Sequence, residues 1–294
     1  MHRAVHSQEN NMPAVHPTPI TQKQVLAYLK PRPKDSHKGM FGTVAIIGGD
    51  TGMVGAALLA GRAALKLGAG CVHIGLLADN APAVDTQMPE LMLDSAKAVL
   101  QTVKPDVLVI GCGLGKSLPA QKLLYDALQL DVPTLLDADA LNIIALRPDL
   151  RSMLQTRKTP AVFTPHPGEA ARLLACGTED IQAARPTSAL ILGKRLHGSV
   201  VLKGADSLCV TSEGKLYLNQ TGNPGMSSAG MGDVLSGMIA AFIAQGLSAD
   251  EALLLGVHLH GAAGDALAQQ QATIGMSATE VTEWARWLLN QWLR

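Results

Sequence analysis

The sequence predicts one α/β domain built on a mainly parallel sheet that helices cover on both faces. From residue 38 onward, short apolar runs of strand length alternate with longer runs of helical period. Such alternation is typical of parallel sheets, whose strands are buried on both faces. The length of 294 residues and the 47% hydrophobic content allow a sizeable core, at the upper end for a single domain.

The elements follow one another in a regular order. The predicted strands are TVAIIGG, CVHIGLL, VLVIG, PTLLDAD, AVFTP and SVVLKG. Helical periods cover residues 55–67, 120–128 and 168–175. SLCVTSEGKLYLNQ has two alternating runs around Ser-Glu-Gly and predicts a β-hairpin. Three C-terminal helices are expected over residues 233–245, 249–270 and 278–293.

The N-terminal segment differs from the rest of the chain. Residues 1–20 are polar and lack periodicity, which predicts a flexible tail before a domain of residues 21–294. TQKQVLAYLK allows a short helix that PRP must end. No stretch has the apolar character of a signal peptide or a membrane span. We therefore expect a cytoplasmic protein without a membrane partner.

Charge and cysteine content narrow the class of function. Lys and Arg number 24 and Asp and Glu number 24, so no net field favours nucleic acid as a partner. The cysteines are widely separated and form no CxxC pair, which predicts reduced thiols rather than disulfides or a structural zinc site. Small-molecule chemistry is the function class that remains.

Two glycine-rich segments follow predicted strands, where open α/β sheets bind ligands. In IIGGDTGMVGAA the G-x-G-x-x-G pattern fails because Asp50 stands two positions after Gly48. In GCGLGKS the lysine and serine match a phosphate loop, but its first glycine would fall on Ile110. A purely structural turn is an equally good interpretation of the first segment.

Polar residues follow two other strands. DADALN, residues 137–142, could bind a metal or a polar substrate, although a helix cap is the commoner reason for such residues. TPHPGEA holds His166 between two prolines in a stiff, extended loop, and Glu169 stands where a helix dipole favours it in any case. His258 and His260 point about 200° apart on a helix and so are not a ligand pair.

SSAGMGDVLSG is the most informative segment, because a loop of small residues leads directly into a long apolar helix. Gly230, Met231 and Gly232 bring several backbone N–H groups to a helix N-terminus, the usual arrangement for binding an anion. As a cap, Asp233 would contribute about 1 kcal/mol. A cap does not need so long a run of small residues, which allows backbone to approach a ligand closely. We therefore interpret Asp233 as a functional residue.

In their order, these motifs resemble the ADP/ATP-dependent NAD(P)H-hydrate dehydratases, a branch of the ribokinase-like superfamily. The resemblance runs from about residue 36 to the C-terminus. Its motifs are HKGMFGTVAIIGG, GMVGAALLAGRAALKLGAG, GCGLG, DADALN, TPHPGEAARLL, VVLKGADS and NQTGNPGMSSAGMGDVLSGMIAAFIAQG. It implies a ribokinase-like three-layer α/β/α sandwich with a mainly parallel central sheet. It also implies a stand-alone dehydratase domain, since the roughly 35 residues before the match are too few for the epimerase domain that many members carry.

The resemblance implies a repair enzyme for hydrated nicotinamide cofactors. Its substrate would be the S epimer of NADHX or NADPHX, and ADP (or ATP) would donate a phosphoryl group. NAD(P)H, AMP and phosphate would be the products when ADP is the donor. Mg²⁺ is expected because polyphosphate charge needs a hard cation. A homo-oligomer, a tetramer, and functional pairing with a separate NAD(P)HX epimerase are further implications.

The resemblance also assigns roles to residues of this chain. The substrate contacts would be Ala57 or its neighbour Ala56, Gly113 or Gly115, His166 and Asp233. The nucleotide contacts would be Lys203, Gly204, Ala205, Asp206, Ser207 and Gly232. The anion hole would be formed by Gly230, Met231 and Gly232, with Asp233 as the catalytic base. Glu169, or else Asp137 or Asp139, would position the metal through water.

Two departures and two alternatives accompany this interpretation. Met231 stands where the family usually has Ser or Thr, and Cys112 where Pro is frequent; both changes spare the glycines and Asp233. A hydroxyl contact to phosphate from position 231 would be lost.

One alternative function is that of a small-molecule kinase of the same superfamily, such as a hydroxyethylthiazole or hydroxymethylpyrimidine kinase. The motifs KGADS and HPGE favour the dehydratase over this kinase. The other is a non-catalytic nucleotide sensor, which has no evident use for Asp233.

Overall fold

A computed structural model describes residues 16–271 and 273–294. Within them, ten strands form one sheet with helices on both faces, which confirms the predicted three-layer α/β/α architecture. The strands are β1 (Thr18–Pro19), β2 (Thr43–Gly48), β3 (Cys71–Leu76), β4 (Met92–Ser95), β5 (Val107–Ile110), β6 (Thr134–Leu136), β7 (Ala161–Phe163), β8 (Ser199–Leu202), β9 (Ser207–Val210) and β10 (Leu216–Asn219).

The sheet order is β1-β10-β9-β8-β7-β6-β5-β2-β3-β4. Among the described strands, β9 alone runs antiparallel to its neighbours, β8 and β10. The β9–β10 pair is the predicted hairpin, with Leu216 opposite Val210. The consecutive neighbours β8, β7, β6, β5 and β2 are all parallel. Their carboxyl ends therefore lie along one edge of the sheet.

Helices make up the two outer layers. They are α1 (Gln22–Leu26), α2 (Val54–Lys66), α3 (Ala96–Thr102), α4 (Leu118–Leu128), α5 (Ala138–Leu146), α6 (Pro148–Thr156), α7 (Pro167–Leu174), α8 (Thr178–Ala183), α9 (Arg185–Leu196), α10 (Met231–Ala244), α11 (Ala249–Gln270) and α12 (Ala278–Trp292). A short 3-10 helix, Lys38–Phe41, precedes β2, and a second, Pro224–Met226, precedes α10.

The apolar residues form two clusters, one on each face of the sheet. The first joins α2, α10, α11 and α12 to one face, and the second joins α3 to α9 to the other. β2 contributes alternate residues to both, Val44 and Ile46 to the first and Ala45 and Ile47 to the second. This is why its sequence is a continuous apolar run rather than an alternating one.

The structure extends and corrects the predicted elements. Most of the predicted tail, residues 1–15, lies outside the described residues. Its last part is ordered, because Thr18 and Pro19 pair with β10 and the Ile20 amide donates to the Leu218 carbonyl at 2.8 Å. Ile20 is buried, so the domain begins before residue 21. The sequence pattern also missed β4, α3, α5, α6, α8 and α9.

Candidate active site

The predicted motifs meet at the carboxyl edge of the parallel strands. The loop after β2 lies directly against GCGLG, the loop after β5. The Gly49 amide donates to the Cys112 carbonyl at 3.0 Å, and the Asp50 amide donates to the Gly113 carbonyl at 2.7 Å. Neither segment is a standard nucleotide loop, yet the two glycine-rich loops form one continuous backbone surface.

Three of the four predicted small-residue contacts lie on or beside this surface. A Cβ atom added to Gly113 would lie 3.1 Å from the Cβ of Ala56. The Gly115 amide donates to Asp139 at 2.9 Å. Ala57 is instead fully buried, and its methyl group faces Gly49 within the core. Of the adjacent alanines, Ala56 is the one less buried.

Asp137, at the end of β6, is the centre of a buried polar group. Its Oδ1 accepts from the Ala138 amide at 2.9 Å, so it does cap α5, which is the commoner interpretation of DADALN. The same atom lies 3.0 Å from the Lys203 ammonium, and its Oδ2 accepts from the Ser236 hydroxyl at 2.8 Å. The residue therefore joins β6, β8 and α10 beneath the site.

The buried charges of Asp137 and Lys203 stabilise each other. Burial opposes ionisation of Asp137, but the Lys203 ammonium and hydrogen bonds hold its pKa below the ordinary value. Burial likewise disfavours the Lys203 ammonium, yet the Asp137 and Glu169 carboxylates raise the pKa of Lys203 overall. Both groups are ionised at neutral pH. Lys203 thus offers a fixed positive charge at the edge of the sheet.

The N-terminus of α10 faces this cation. The helix begins at Met231, two residues earlier than predicted, with Gly230 as its N-cap in the left-handed region at φ 88° and without a side-chain cap in the described chain. A Cβ atom on Gly232 would lie 3.1 Å from the Lys203 ammonium nitrogen. First-turn N–H groups have no intrahelical acceptor. Together with Lys203 they form a site suited to an anion.

Met231 contributes to this turn through its backbone. Its side chain is buried in the apolar cluster that contains α2, α10, α11 and α12. The methionine side chain therefore takes part in packing, while the backbone N–H of residue 231 lies at the helix N-terminus.

Asp233 lies on the first turn of α10 and is not a cap. Burial, and then the nearby Asp137 carboxylate, raise the pKa of Asp233 to about 7. The Cys112 thiol, whose Sγ lies within 4.8 Å of an Asp233 carboxylate oxygen, and the Lys203 ammonium partly oppose this shift of the pKa. A carboxylate whose pKa lies near neutrality is suited to accept a proton during catalysis.

His166 and Glu169 form a reciprocal cap at the start of α7. The His166 Nδ1 accepts from the Gly168 amide at 3.0 Å, and the His166 amide donates to Glu169 Oε2 at 2.8 Å. The imidazole Nε2 lies 3.2 Å from Glu169 Oε1. The histidine side chain is 50% exposed, whereas Glu169 is buried. The cap fixes His166 at the strand edge with its ring open to solvent.

The KGADS segment makes the tight bend between β8 and β9. Gly204 has φ 140° and Asp206 has φ 53°, and the Ser207 hydroxyl donates to the Gly204 carbonyl at 2.9 Å. Arg185, which the sequence analysis missed, donates to the backbone carbonyls of Leu202, Lys203 and Asp206 at 3.3–3.4 Å. Its side chain thus supports this bend from α9.

The two histidines of α11 have different surroundings. The His258 ring lies 6.0 Å from the Trp292 ring, in the packing between α11 and α12. Burial, and then the positive charge of Lys203, lower the pKa of His260 to about 4. His260 is therefore neutral at physiological pH. Its buried Nε2 has no hydrogen-bond partner among the described residues.

Gly111 is expected to be essential for the stability of the strand edge. It has φ 127°, and an added Cβ would lie 1.9 Å from the Asp137 carbonyl oxygen. Gly111→Ala should lower the free energy of unfolding by about 3–5 kcal/mol, combining backbone strain with a steric clash. Gly52→Ala is the matched control, since Gly52 has φ 81° with open space around it and should lose about 1–2 kcal/mol. Urea denaturation of both variants checks this; equal losses would contradict it.

None of the helices within residues 16–271 and 273–294 has the length and apolar character needed to cross a membrane.

Comparison with known proteins yields consistent matches. The family model described as NAD(P)H-hydrate dehydratase matches residues 44–286. The ADP-dependent (S)-NAD(P)H-hydrate dehydratase of Neisseria meningitidis is 41% identical over 266 residues, covering 89% of this chain and 90% of the relative. The bifunctional NAD(P)H-hydrate repair enzyme of Escherichia coli is 43% identical over 267 residues, covering 89% of this chain and 50% of that enzyme.

A solved structure agrees with the sequence comparisons. The ADP/ATP-dependent NAD(P)H-hydrate dehydratase of Bacillus subtilis, co-crystallised with ATP and Mg²⁺, superposes with a TM-score of 0.85 at 30% identity. The match covers 95% of this chain and all of that one. The fold is therefore the ribokinase-like sandwich that the sequence predicts. The chain belongs to the NAD(P)H-hydrate dehydratase family.

Proposed function

We propose that this protein is an ADP-dependent (S)-NAD(P)H-hydrate dehydratase. The observation that carries the proposal is the position of Asp233, whose pKa is about 7, on the first turn of an uncapped helix beside Lys203. A proton acceptor next to an anion site is the arrangement that phosphoryl transfer to a hydroxyl requires. The relative from Neisseria meningitidis has this activity in its name.

The chemistry explains why a dehydratase uses a nucleotide. Hydroxide is a poor leaving group at neutral pH, whereas a phosphate ester departs readily. The terminal phosphoryl group of ADP is transferred to the substrate hydroxyl, which forms the phosphate ester and releases AMP. The lone pair of the ring nitrogen then expels phosphate, and loss of a ring proton restores the dihydropyridine. The first step is thus a kinase reaction.

Asp233 and the N-terminus of α10 have different roles in the first step. Asp233 accepts the proton of the attacking hydroxyl, which contributes about 10²- to 10⁴-fold to the rate. The N–H groups of Gly230, Met231 and Gly232 hold the transferring phosphoryl group, and Lys203 supplies positive charge beside it. Preorganised donors of this kind stabilise developing charge without reorganisation.

Two adjoining surfaces bind the two reactants in this proposal. The hydrated cofactor lies on the glycine-rich loops and beside the exposed ring of His166, in contact with Ala56, Gly113, Gly115 and Asp233. Burial of Ala57 favours its neighbour for this contact. The nucleotide lies at the bend after β8, in contact with Lys203, Gly204, Ala205, Asp206, Ser207 and Gly232.

Magnesium fits this site through water and phosphate oxygens. Both oxygens of Glu169 already contact His166, and those of Asp139 accept from Gly115 and Asn142. Mg²⁺ commonly keeps several waters and few protein ligands, so Glu169, Asp137 and Asp139 would hold it through water. When bound, the ion neutralises polyphosphate charge and orients the terminal phosphoryl group.

The fall in kcat/KM at acidic pH should follow the protonation of Asp233. Because its pKa is raised to about 7, the protonated form dominates below that pH and cannot accept the hydroxyl proton. We expect kcat/KM to fall about tenfold per pH unit below pH 7 and to level off above it. Initial rates at saturating Mg²⁺ and ADP between pH 5.5 and 8.5 check this. A flat profile down to pH 5.5 would contradict the role of Asp233.

Incubation with (S)-NADHX, Mg²⁺ and either ADP or ATP tests the function. Return of dihydronicotinamide absorbance is expected, and no return with either nucleotide would exclude the dehydratase. A small-molecule kinase would instead accumulate a phosphorylated product without regenerating reduced cofactor. A nucleotide sensor would bind ADP and turn over nothing.

The proposal extends to the assembly and to partners. We infer a homo-oligomer, a tetramer, acting in the cytoplasm beside a separate NAD(P)HX epimerase. The bifunctional repair enzyme of Escherichia coli supports the pairing, since this chain matches half of it. Light scattering after size-exclusion chromatography checks the assembly, and a mass of one chain would refute the tetramer. Addition of an epimerase to a mixture of R and S hydrates should raise the recovered NADH.

A further inference from the structure

Cys112 adds a sulfur atom to the carboxylate oxygens that could bind a metal ion at this site. It belongs to the GCGLG loop after β5, and its side chain is fully buried. The Cys112 Sγ and one carboxylate oxygen each of Asp137 and Asp233 lie within 4.8 Å of one another. The three residues come from three separate segments of the chain. One thiol and two carboxylates therefore converge on a single point.

The local charge favours a cation at this point. Asp137 is paired with Lys203 at 3.0 Å, whereas Asp233 has no ionic partner among the described residues. Two carboxylates thus share one ammonium group. Asp137 is buried and Asp233 only partly so, which leaves an approach for a small ion from the side of the anion site.

The donor atoms select the class of ion. Sulfur with two carboxylate oxygens suits Zn²⁺ and similar borderline ions, whereas Mg²⁺ prefers oxygen alone. Tetrahedral Zn²⁺ places a sulfur and an oxygen ligand about 3.5–3.7 Å apart. Because the donor atoms are already within 4.8 Å, modest side-chain rotations would complete the set, with water as fourth ligand.

We propose that Cys112, Asp137 and Asp233 form an inhibitory site for a thiophilic divalent cation such as Zn²⁺. Binding forms a metal–sulfur bond and releases the thiol proton to solvent, so affinity rises with pH. The bound ion coordinates the Asp233 carboxylate, which then cannot accept the hydroxyl proton, so turnover stops. The inhibitory consequence rests on the proposed function, whereas the binding itself does not.

Cobalt titration tests the site directly. The metal-free protein is titrated with Co²⁺ at pH 8 and the near-ultraviolet sulfur-to-cobalt charge-transfer band is recorded. We expect one equivalent of Co²⁺ to produce the band and Zn²⁺ to remove it. Cys112→Ser should abolish the band, with affinity at least ~100-fold weaker. Cys71→Ser and Cys176→Ser are matched controls, since these thiols are free and partly exposed, and they should retain the band.

The outcomes separate this proposal from the enzymatic one. No band in the unmodified protein, or a band that persists in Cys112→Ser, would overturn the site. Asp233→Asn keeps the thiol and should weaken Co²⁺ binding about tenfold or more; unchanged affinity would also overturn it. Turnover of (S)-NADHX by ADP is measured with and without Zn²⁺ in parallel. A cobalt band without any turnover would leave the metal site intact and refute the dehydratase.

Discussion

Asp233→Asn should fold, bind nucleotide normally and lose turnover by about 10²- to 10⁴-fold. Asparagine keeps the size of the side chain but cannot accept the hydroxyl proton. ADP affinity should be unchanged, because the N–H groups at the start of α10 and Lys203 remain. Steady-state kinetics and isothermal titration with ADP measure the two quantities. Asp126→Asn, at the surface of α4, is the matched control and should keep full activity.

The same variant should be more stable than the natural protein at alkaline pH. The folded pKa of Asp233, about 7, lies above the ordinary 3.8, so its ionisation opposes folding and the full cost is present above pH 7. Removing the charge should raise the free energy of unfolding at pH 8 by about 2–4 kcal/mol. The gain should shrink as pH falls and vanish below 3.8, the ordinary value. Lower stability of Asp233→Asn at pH 8 would contradict the burial of an unpaired carboxylate.

Lys203→Met should have the second large effect, on both stability and nucleotide binding. It leaves the Asp137 carboxylate buried without its cation, which should cost about 3–5 kcal/mol. It also removes the positive charge beside Gly232. Urea denaturation and ADP titration check the two losses.

A double variant separates the two roles of Lys203. Lys203→Met combined with Asp137→Asn removes both charges, so most of the lost stability should return. ADP affinity should remain low, because the charge at the phosphate site is still absent. Recovery of ADP affinity in the double variant would show that Lys203 acts through Asp137 alone.

Much of the fold could be predicted because each strand of the central sheet is a distinct apolar run. The strands from β5 to β8 follow directly from period and length, as do α4 and α7 among the helices between them. β4 and α3 were missed, since the segment MLDSAKAVLQT is only partly apolar and its boundary has no glycine or proline. α8 was missed because Ile181 is its one buried residue, which gives no apolar period, and α9 was missed because its apolar positions are defined by packing on β8 and β9.

The site could be predicted in part. Sequence order places GCGLG, DADALN and HPGE after parallel strands, and such loops share one edge. The pairing of Lys203 with Asp137 could not be predicted, because the two residues are 66 positions apart in the sequence. The position of Ser236 could have been predicted to face the site, because it lies one turn after Asp233 on α10. The contact of Cys112 with Asp233 depends on how β5 meets α10, which the sequence pattern does not define.

In the proposed mechanism, phosphoryl transfer that Asp233 begins drives the dehydration. The most direct measurement is a single time course with (S)-NADHX, ADP and Mg²⁺ in which NADH, AMP and phosphate are quantified together. We expect all three to appear in equal amounts, and all three to form at least about 100-fold more slowly with Asp233→Asn. NADH formed without AMP, or AMP formed without NADH, would contradict this mechanism.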